Sequence, residues 1–166
     1  MTDLPLRGQV VAMGKRVDRA AKVIAASPQR LYRALIDPSE LVAWLPPRGM
    51  KGEIHSFDPR PGGRYSMTLS YDDTTAQHGK STDHSDVVQG QFLELIPDQS
   101  IVQLFEFESA DPAFAGHMKM TWSLQPVAAG TQVSISCEDV PSGISPEDHA
   151  AGMASSLENL AEFVGA

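Results

Sequence analysis

Basic residues, cysteine and long hydrophobic runs are all scarce in this 166-residue chain, and each shortage excludes a class of protein. The chain contains 13 lysines and arginines but 21 aspartates and glutamates, so its formal net charge is −8. No nucleic-acid-binding surface is therefore expected. The single cysteine, Cys137, cannot form an internal disulfide, which favours a cytoplasmic location and a buried, inert thiol. No apolar run is long enough to predict a secretory signal or membrane insertion.

The remaining composition is that of a globular protein. Hydrophobic residues make up 42% of the chain and charged residues 20%. At this length, that supply of apolar residues suits one substantial core rather than two. We expect a short N-terminal tail over residues 1–14 and a single domain over residues 15–166.

Two short helices are predicted by their start signals. Ser27 precedes Pro28, and Asp37 precedes Pro38, in each case a capping side chain followed by a proline that suits the first helical position. Glu40 follows Asp37 at the spacing of a reciprocal capping box. The second helix should end at the two prolines of residues 46–47.

Alternation of apolar and polar residues predicts a series of strands. Tyr65, Met67, Leu69 and Tyr71, for example, alternate with serine and threonine. The strands are predicted at residues 16–25, 51–58, 64–71, 87–96, 101–108, 117–124 and 131–138. Gly62-Gly63 predicts a hairpin, and the polar residues 72–86 predict an exposed loop, so consecutive hairpins should form an antiparallel sheet.

A long amphipathic helix is predicted from Ser145-Pro146 almost to the last residue. One stripe should face the sheet. That stripe comprises Ala150, Met153, Ala154, Leu157, Leu160, Ala161 and Val164. Gly152 lies within the helix, which permits either close packing or residual space beneath it.

These elements and several motifs resemble the SRPBCC superfamily, and within it the bacterial homologues of the heat-shock chaperone ATPase activator. The motifs are Trp44-Leu45-Pro46, Phe57-Asp58 with Gly62-Gly63-Arg64-Tyr65, Gly90-Gln91-Phe92-Leu93-Glu94-Leu95-Ile96-Pro97, Thr121-Trp122-Ser123-Leu124 and Gly130-Thr131. The resemblance implies an α+β helix-grip fold: a curved antiparallel sheet around a long C-terminal helix, with two short helices between the first and second strands. It also implies an apolar cavity between the sheet and the helices.

The resemblance leaves several functions open, because related proteins bind lipids, hormones or polyketides, catalyse cyclisation or dehydration, or stimulate a chaperone ATPase. We expect non-enzymatic binding of a small hydrophobic or amphipathic molecule. One alternative is a polyketide cyclase/dehydratase-like enzyme or a hydrolase, and another is a chaperone-associated module in stress response. In the family, tryptophan commonly follows the helix glycine, whereas here Met153 follows Gly152.

Candidate ligand-binding residues come from the alternation and from the closing helix. They are Trp44, Tyr65, Met67, Leu69, Phe105, Phe107, Met120, Trp122, His149, Met153, Ser156 and Leu157. The apolar members, together with Leu124, suit either simple core packing or a ligand pocket. Trp44 suits either a gate or a buried structural position, and His149 and Ser156 would lie at the pocket edge.

No catalytic motif stands out. The candidates for acid–base chemistry are His149, Glu106 and His117, although Glu106 and His117 also fit a solvated outer face. The aspartates and histidines of residues 72–86 match no established metal site, so neither a metal nor another cofactor is expected.

The first 33 residues hold seven Lys/Arg and two Asp/Glu, a net +5, while the remainder holds six and 19, a net −13. The predicted first strand, with Arg16, Arg19 and Lys22, could therefore contact an acidic protein partner, or it could be a solvated face. The chain is expected to be a monomer or a homodimer.

Overall fold

The computed structural model describes residues 16–46, 50–71, 85–107 and 116–165. Seven strands and three helices follow one another in these segments. Their order is β1 (Val17–Ile24), α1 (Pro28–Ile36), α2 (Pro38–Trp44), β2 (Met50–Phe57), β3 (Arg64–Tyr71), β4 (Ser85–Ile96), β5 (Ser100–Phe107), β6 (Met118–Val127), β7 (Gly130–Glu138) and α3 (Pro146–Phe163). The predicted elements are therefore present, with ends that differ by up to three residues. The predicted loop lies mostly outside the described residues.

The strands form one antiparallel sheet in the order β1-β7-β6-β5-β4-β3-β2. Strands β2 to β7 each pair with their neighbour in sequence, while β1 closes the far edge beside β7. Breaks in register at Ile54/Ser56 and Phe92/Glu94 mark bulges, which increase local twist. Because β1 and β2 lie at opposite edges of the curled sheet, α1 and α2 form the connection between those edges.

Side-chain caps start the two short helices, but the predicted capping box does not form. The Ser27 hydroxyl accepts from the Arg30 amide, and the Asp37 carboxylate accepts from the Ser39 amide at 2.9 Å. The backbone amide of Asp37 donates to the Arg33 carbonyl instead of to Glu40. Glu40 accepts from the Arg30 guanidinium at 2.7 Å, because two nearby arginines offer its carboxylate a stronger, charge-assisted partner.

Helix α3 begins at the Ser145 cap and packs against β1 and α2. Its buried residues, Met153, Leu157, Leu160 and Ala161, join the same apolar core as the inner face of the sheet. The sheet thus curls around α3, and the predicted helix-grip fold is confirmed. No helix in the described part of the chain has the length and apolar character needed to cross a membrane.

The Gly62-Gly63 turn joins β2 to β3 and also contacts β4. The Gly62 amide donates to the Phe92 carbonyl and the Phe92 amide donates to the Gly63 carbonyl, both at 2.8 Å. A Cβ at residue 63 would lie only 2.0 Å from the Asp58 carbonyl oxygen, so no other residue fits there. This turn fixes the end of the sheet that carries Tyr65 and Phe92.

Candidate functional site

A cavity of about 210 Å³ lies between α3 and the inner face of the sheet. Helices α1 and α2 contribute Leu35 and Leu41 to one side, together with Leu45 at the C-cap of α2. The strands contribute Tyr65, Met67, Leu69, Val88, Ile101, Gln103, Phe105, Met118, Met120, Trp122 and Ile135. Helix α3 contributes His149, Gly152, Met153 and Ser156. The lining is thus almost wholly apolar, with four polar side chains from Tyr65, Gln103, His149 and Ser156.

Antiparallel pairing aligns the inner side chains of the sheet in rows. Tyr65 lies opposite Gly90, and Gly90 lies opposite Phe105. A Cβ at Gly90 would be 2.6 Å from Cε2 of the Tyr65 ring, which shows that the ring lies over this glycine. The ring meets Phe105 beyond it, with centroids 5.5 Å apart. Gly90 therefore allows Tyr65 to cross one strand and form part of the cavity floor.

The inward face of α3 differs from the predicted stripe. Ala150 and Ala154 are exposed, whereas His149, Gly152 and Ser156 face the cavity beside Met153. The helix orientation follows the large side chains that bury most area, and an alanine adds too little apolar surface to decide it. Apart from the chain neighbours and the backbone of α3 itself, no atom lies within 4 Å of a Cβ placed at Gly152, so this glycine leaves open space.

Nine of the twelve predicted ligand-binding residues lie on the cavity lining. They are Tyr65, Met67, Leu69, Phe105, Met120, Trp122, His149, Met153 and Ser156. Trp44 and Leu157 are buried but do not line the cavity. The Trp44 indole donates to the Ala34 carbonyl at 2.9 Å and packs edge-on against Trp122, contacts that fit a buried structural position. The side chain of Phe107 lies outside the described residues.

His149 is held by a charged cluster at the start of α3. Its Nδ1 lies 2.7 Å from the Asp18 carboxylate, which also accepts from the Arg16 guanidinium at 2.8 Å. Arg16 in turn donates to the Ile144 carbonyl. The Arg16 hydrogen bond lowers the pKa of Asp18, against the opposing effect of burial, so the carboxylate stays ionised and can only accept. Nδ1 therefore carries a proton, and Nε2 is the ring nitrogen available to a ligand.

The other two catalytic candidates lie away from the cavity. Glu106 and His117 approach each other to 3.7 Å, but their side chains are 54% and 58% exposed. Glu106 follows Phe105 on β5 and therefore lies on the opposite, outer face. The structure thus separates this pair from His149. Among the described residues, no cluster of three His, Cys, Asp or Glu side chains could hold a metal ion.

Burial determines the state of two further groups. Burial raises the pKa of the Cys137 thiol to about 12, with a smaller contribution from the Asp18 charge, so the thiol is protonated and unreactive as predicted. Burial also raises the pKa of Tyr65 well above its usual value, so its hydroxyl remains a neutral phenol.

The basic residues Arg16, Arg19 and Lys22, in and just before β1, do not form one surface. Arg16 is engaged by Asp18, and Arg19 and Lys22 are exposed on opposite faces of the strand. A shared electrostatic contact by all three would require Arg16 to leave a cluster in which it already bonds both Asp18 and the end of a loop.

Sequence reasoning missed Gln103, although a signal for it exists. Gln103 is two residues before Phe105 on β5, so period two places both side chains on one face. The strand also carries Val102 and Leu104 on the opposite face, which obscures the alternation. Leu35, Leu41 and Leu45 were recognisable only as helix core residues, because their place at the cavity depends on long-range packing.

Comparisons with known proteins agree with this geometry. The family model for the activator of Hsp90 ATPase homolog 1-like protein matches residues 25–165. The chain belongs to this family. Protein CV1439 from Chromobacterium violaceum is 33% identical, with a TM-score of 0.81 over 90% of this chain and 97% of that one. No curated protein matches.

Two more distant structures show the fold alone. A Rhodobacter sphaeroides protein is 20% identical, with a TM-score of 0.68 over 88% of this chain and 90% of that one. DynU16, a protein in the dynemicin biosynthetic locus, is 16% identical, with a TM-score of 0.63 over 89% of this chain and 46% of that one. The resemblance to SRPBCC proteins is therefore confirmed at the level of family and fold.

Proposed function

We propose that this protein binds a small, neutral, mainly apolar molecule in the cavity beneath α3, without catalysing a reaction. The observation that supports this function is the 210 Å³ of space lined mainly by apolar side chains between α3 and the sheet. Protein interiors are ordinarily packed as densely as organic crystals, so space of this size among mostly buried residues is a departure that ligand binding explains.

Cavity volume limits the size of the ligand. An apolar protein cavity of about 150 Å³ accepts benzene. The volume of 210 Å³ found here therefore suits a molecule somewhat larger, with one ring carrying substituents or two fused rings. A flavonoid or a long fatty acid would have to extend beyond this volume.

Apolar area sets the expected affinity. A bicyclic ligand that loses about 200 Å² of apolar surface to the cavity gains about 5 kcal/mol. That corresponds to a dissociation constant on the order of 0.1–1 mM before any polar contact is counted. Affinity should follow hydrophobic size up to the cavity volume and then fall.

A size series tests the proposal. Benzene, indane and flavone are titrated into the protein and their dissociation constants measured by ligand-observed NMR. Indane should bind more tightly than benzene because it buries more area, and flavone should bind less tightly than indane because it overfills the space. Affinity that rises steadily to flavone, or no binding by any of the three, would contradict the proposal.

The paired His149 and Asp18 favour an enzymatic alternative. A carboxylate at Nδ1 orients the imidazole and leaves Nε2 as a potential general base at the cavity. Turnover of an aromatic or polyketide-like substrate would then require His149, whereas Glu106 and His117 should be dispensable. Loss of turnover in His149→Gln, with activity retained in Glu106→Gln and His117→Gln, would support a reaction over simple binding.

A further inference from the structure

Gln103 is a buried polar residue in the middle of the cavity floor. It lies on β5, the central strand of the sheet, and is only 7% exposed. In register, its neighbours on the inner face are Phe92 on β4 and Met120 on β6. Both neighbours are apolar, so neither offers the side-chain amide a hydrogen-bonding group.

No hydrogen-bond partner for this amide exists among the residues that the structure describes. Thr131, the other buried polar residue in the described part of the chain, differs in this respect because its hydroxyl donates to the Ala26 carbonyl at 2.7 Å. His149 is likewise paired with Asp18. An unpaired buried amide is unusual, since more than nine in ten buried polar groups have a partner.

We infer that Gln103 hydrogen-bonds the ligand of this cavity, and that this ligand carries an adjacent donor and acceptor such as a lactam or an amide. A glutamine side chain presents one carbonyl acceptor and two N–H donors on one planar group. Only a ligand that carries a hydrogen-bond donor beside an acceptor can pair with both the carbonyl and an N–H of the glutamine amide. A ligand with a lone carbonyl leaves the glutamine carbonyl unpaired, and a lone N–H leaves the glutamine N–H unpaired.

The rest of the lining agrees with a neutral ligand. Asp18 is already paired with Arg16 and His149, so it offers nothing to a cation. Lysine and arginine are absent from the lining, and the carboxylate of Asp18 already balances any charge on His149, so an anion would find no free cation there. The inference rests on the proposed function, and it adds the chemical class of the ligand to the size that the cavity volume sets.

Four bicyclic compounds of similar size isolate the contribution of the amide. Oxindole has an adjacent N–H and C=O, 1-indanone has the C=O alone, indole has the N–H alone, and indane has neither. Each is titrated into the wild-type protein, Gln103→Leu, and the surface control Gln125→Leu. The comparison is between proteins for one ligand, so the cost of removing that ligand from water cancels.

Gln103→Leu should weaken oxindole at least about tenfold relative to indane, because two hydrogen bonds are lost and the ligand's polar groups stay unpaired. Indole and 1-indanone should fall between them, and Gln125→Leu should change none of the four. An oxindole-to-indane ratio that is the same in wild type and Gln103→Leu overturns the role of Gln103. If Gln103→Leu weakens 1-indanone as much as oxindole, the inference that the ligand needs an adjacent donor and acceptor is overturned.

The free protein gives a second readout. Leucine has no polar group to leave unpaired, so Gln103→Leu without ligand should melt at the same temperature as wild type or higher. A lower melting temperature would show that the amide is paired in the free protein and would overturn the inference. If none of the four compounds binds wild type, the proposed cavity function itself fails, whereas indane binding without any polar preference contradicts only the inference about Gln103.

Discussion

His149 and Asp18 join the first turn of α3 to the edge strand β1 through a 2.7 Å contact between Nδ1 and the carboxylate. The two residues are 131 positions apart in the chain. Their side chains are only 13% and 12% exposed. This contact links the helix that covers the cavity to the strand that closes the sheet.

Asp18→Asn should therefore lower the free energy of unfolding by about 1–3 kcal/mol at pH 7, since charge-assisted hydrogen bonds to Arg16 and His149 are weakened. The folded-state pKa of Asp18 lies below its ordinary value of 3.8, chiefly because of Arg16. The stabilisation that the ionised Asp18 carboxylate gives the folded protein is thus complete above pH 3.8. It is lost as the pH falls through the lower pKa of the folded state. Urea unfolding at several pH values measures this difference.

Asp58→Asn is the matched control, because Asp58 contacts Arg60 at 2.8 Å with the same two-residue spacing but in an exposed position. Asp58→Asn should change the free energy of unfolding little at any pH. A difference between wild type and Asp18→Asn that persists undiminished in strong acid would contradict the assigned cause.

The Tyr65 ring over Gly90 gives a second prediction. Gly90→Ala places a methyl group 2.6 Å from a ring that is also packed against Phe57, Phe92 and Phe105, so the ring has little room to move. We expect a loss of about 1–3 kcal/mol in unfolding free energy. In a Tyr65→Leu background the same change should cost clearly less, which a double-mutant cycle would measure. Equal costs in both backgrounds would show that the ring is not the obstacle.

Replacing Gly152 by alanine should have the opposite effect on stability to the same change at Gly90. Alanine there meets no atom within 4 Å and improves the helix propensity of α3. Gly152→Ala should raise stability by up to about 1 kcal/mol. The added methyl projects into the cavity, so the affinity for the largest ligand that fits should fall. Thermal unfolding and a ligand titration on the same sample give both results, and a destabilised variant would show that the space is smaller than described.

Met153 controls cavity volume from the helix side. Met153→Trp should fill part of the space and weaken indane more than benzene, which calorimetric titration would detect as a reversed size order. Ala154→Trp adds the same ring at an exposed neighbouring position and should leave both affinities unchanged. If both variants weaken indane equally, the ligand is not beneath this helix.

The sequence predicted the sheet well because strand alternation and hairpin turns are local signals. Tyr65, Met67 and Leu69 lie on one face by period two alone, and that face is the cavity floor. Helix caps at Ser27, Asp37 and Ser145 are equally local, and each caps as expected. The reciprocal capping box failed because Arg30 competes for Glu40 from the preceding helix, a contact between elements that no local pattern contains.

The site was harder to predict because its polar residues depend on which side of each element faces inward. The alanines of α3 fit several helix orientations, and only the large side chains settle that Ala150 and Ala154 face outward. Gln103 lies between apolar neighbours on both faces of β5, which hid its position. The His149–Asp18 pair joins residues 131 positions apart in the sequence, and nothing near either residue in the sequence indicates the other.

Four methionines on the cavity lining allow the central claim to be tested most directly. Met67, Met118, Met120 and Met153 line the space, while Met50 on β2 does not. In a titration of methyl-labelled methionine protein with indane, the four lining methyl signals should shift with one common saturation curve, and that of Met50 should stay in place. Shifts that are absent from the four, or that appear equally at Met50, would contradict ligand binding in the cavity.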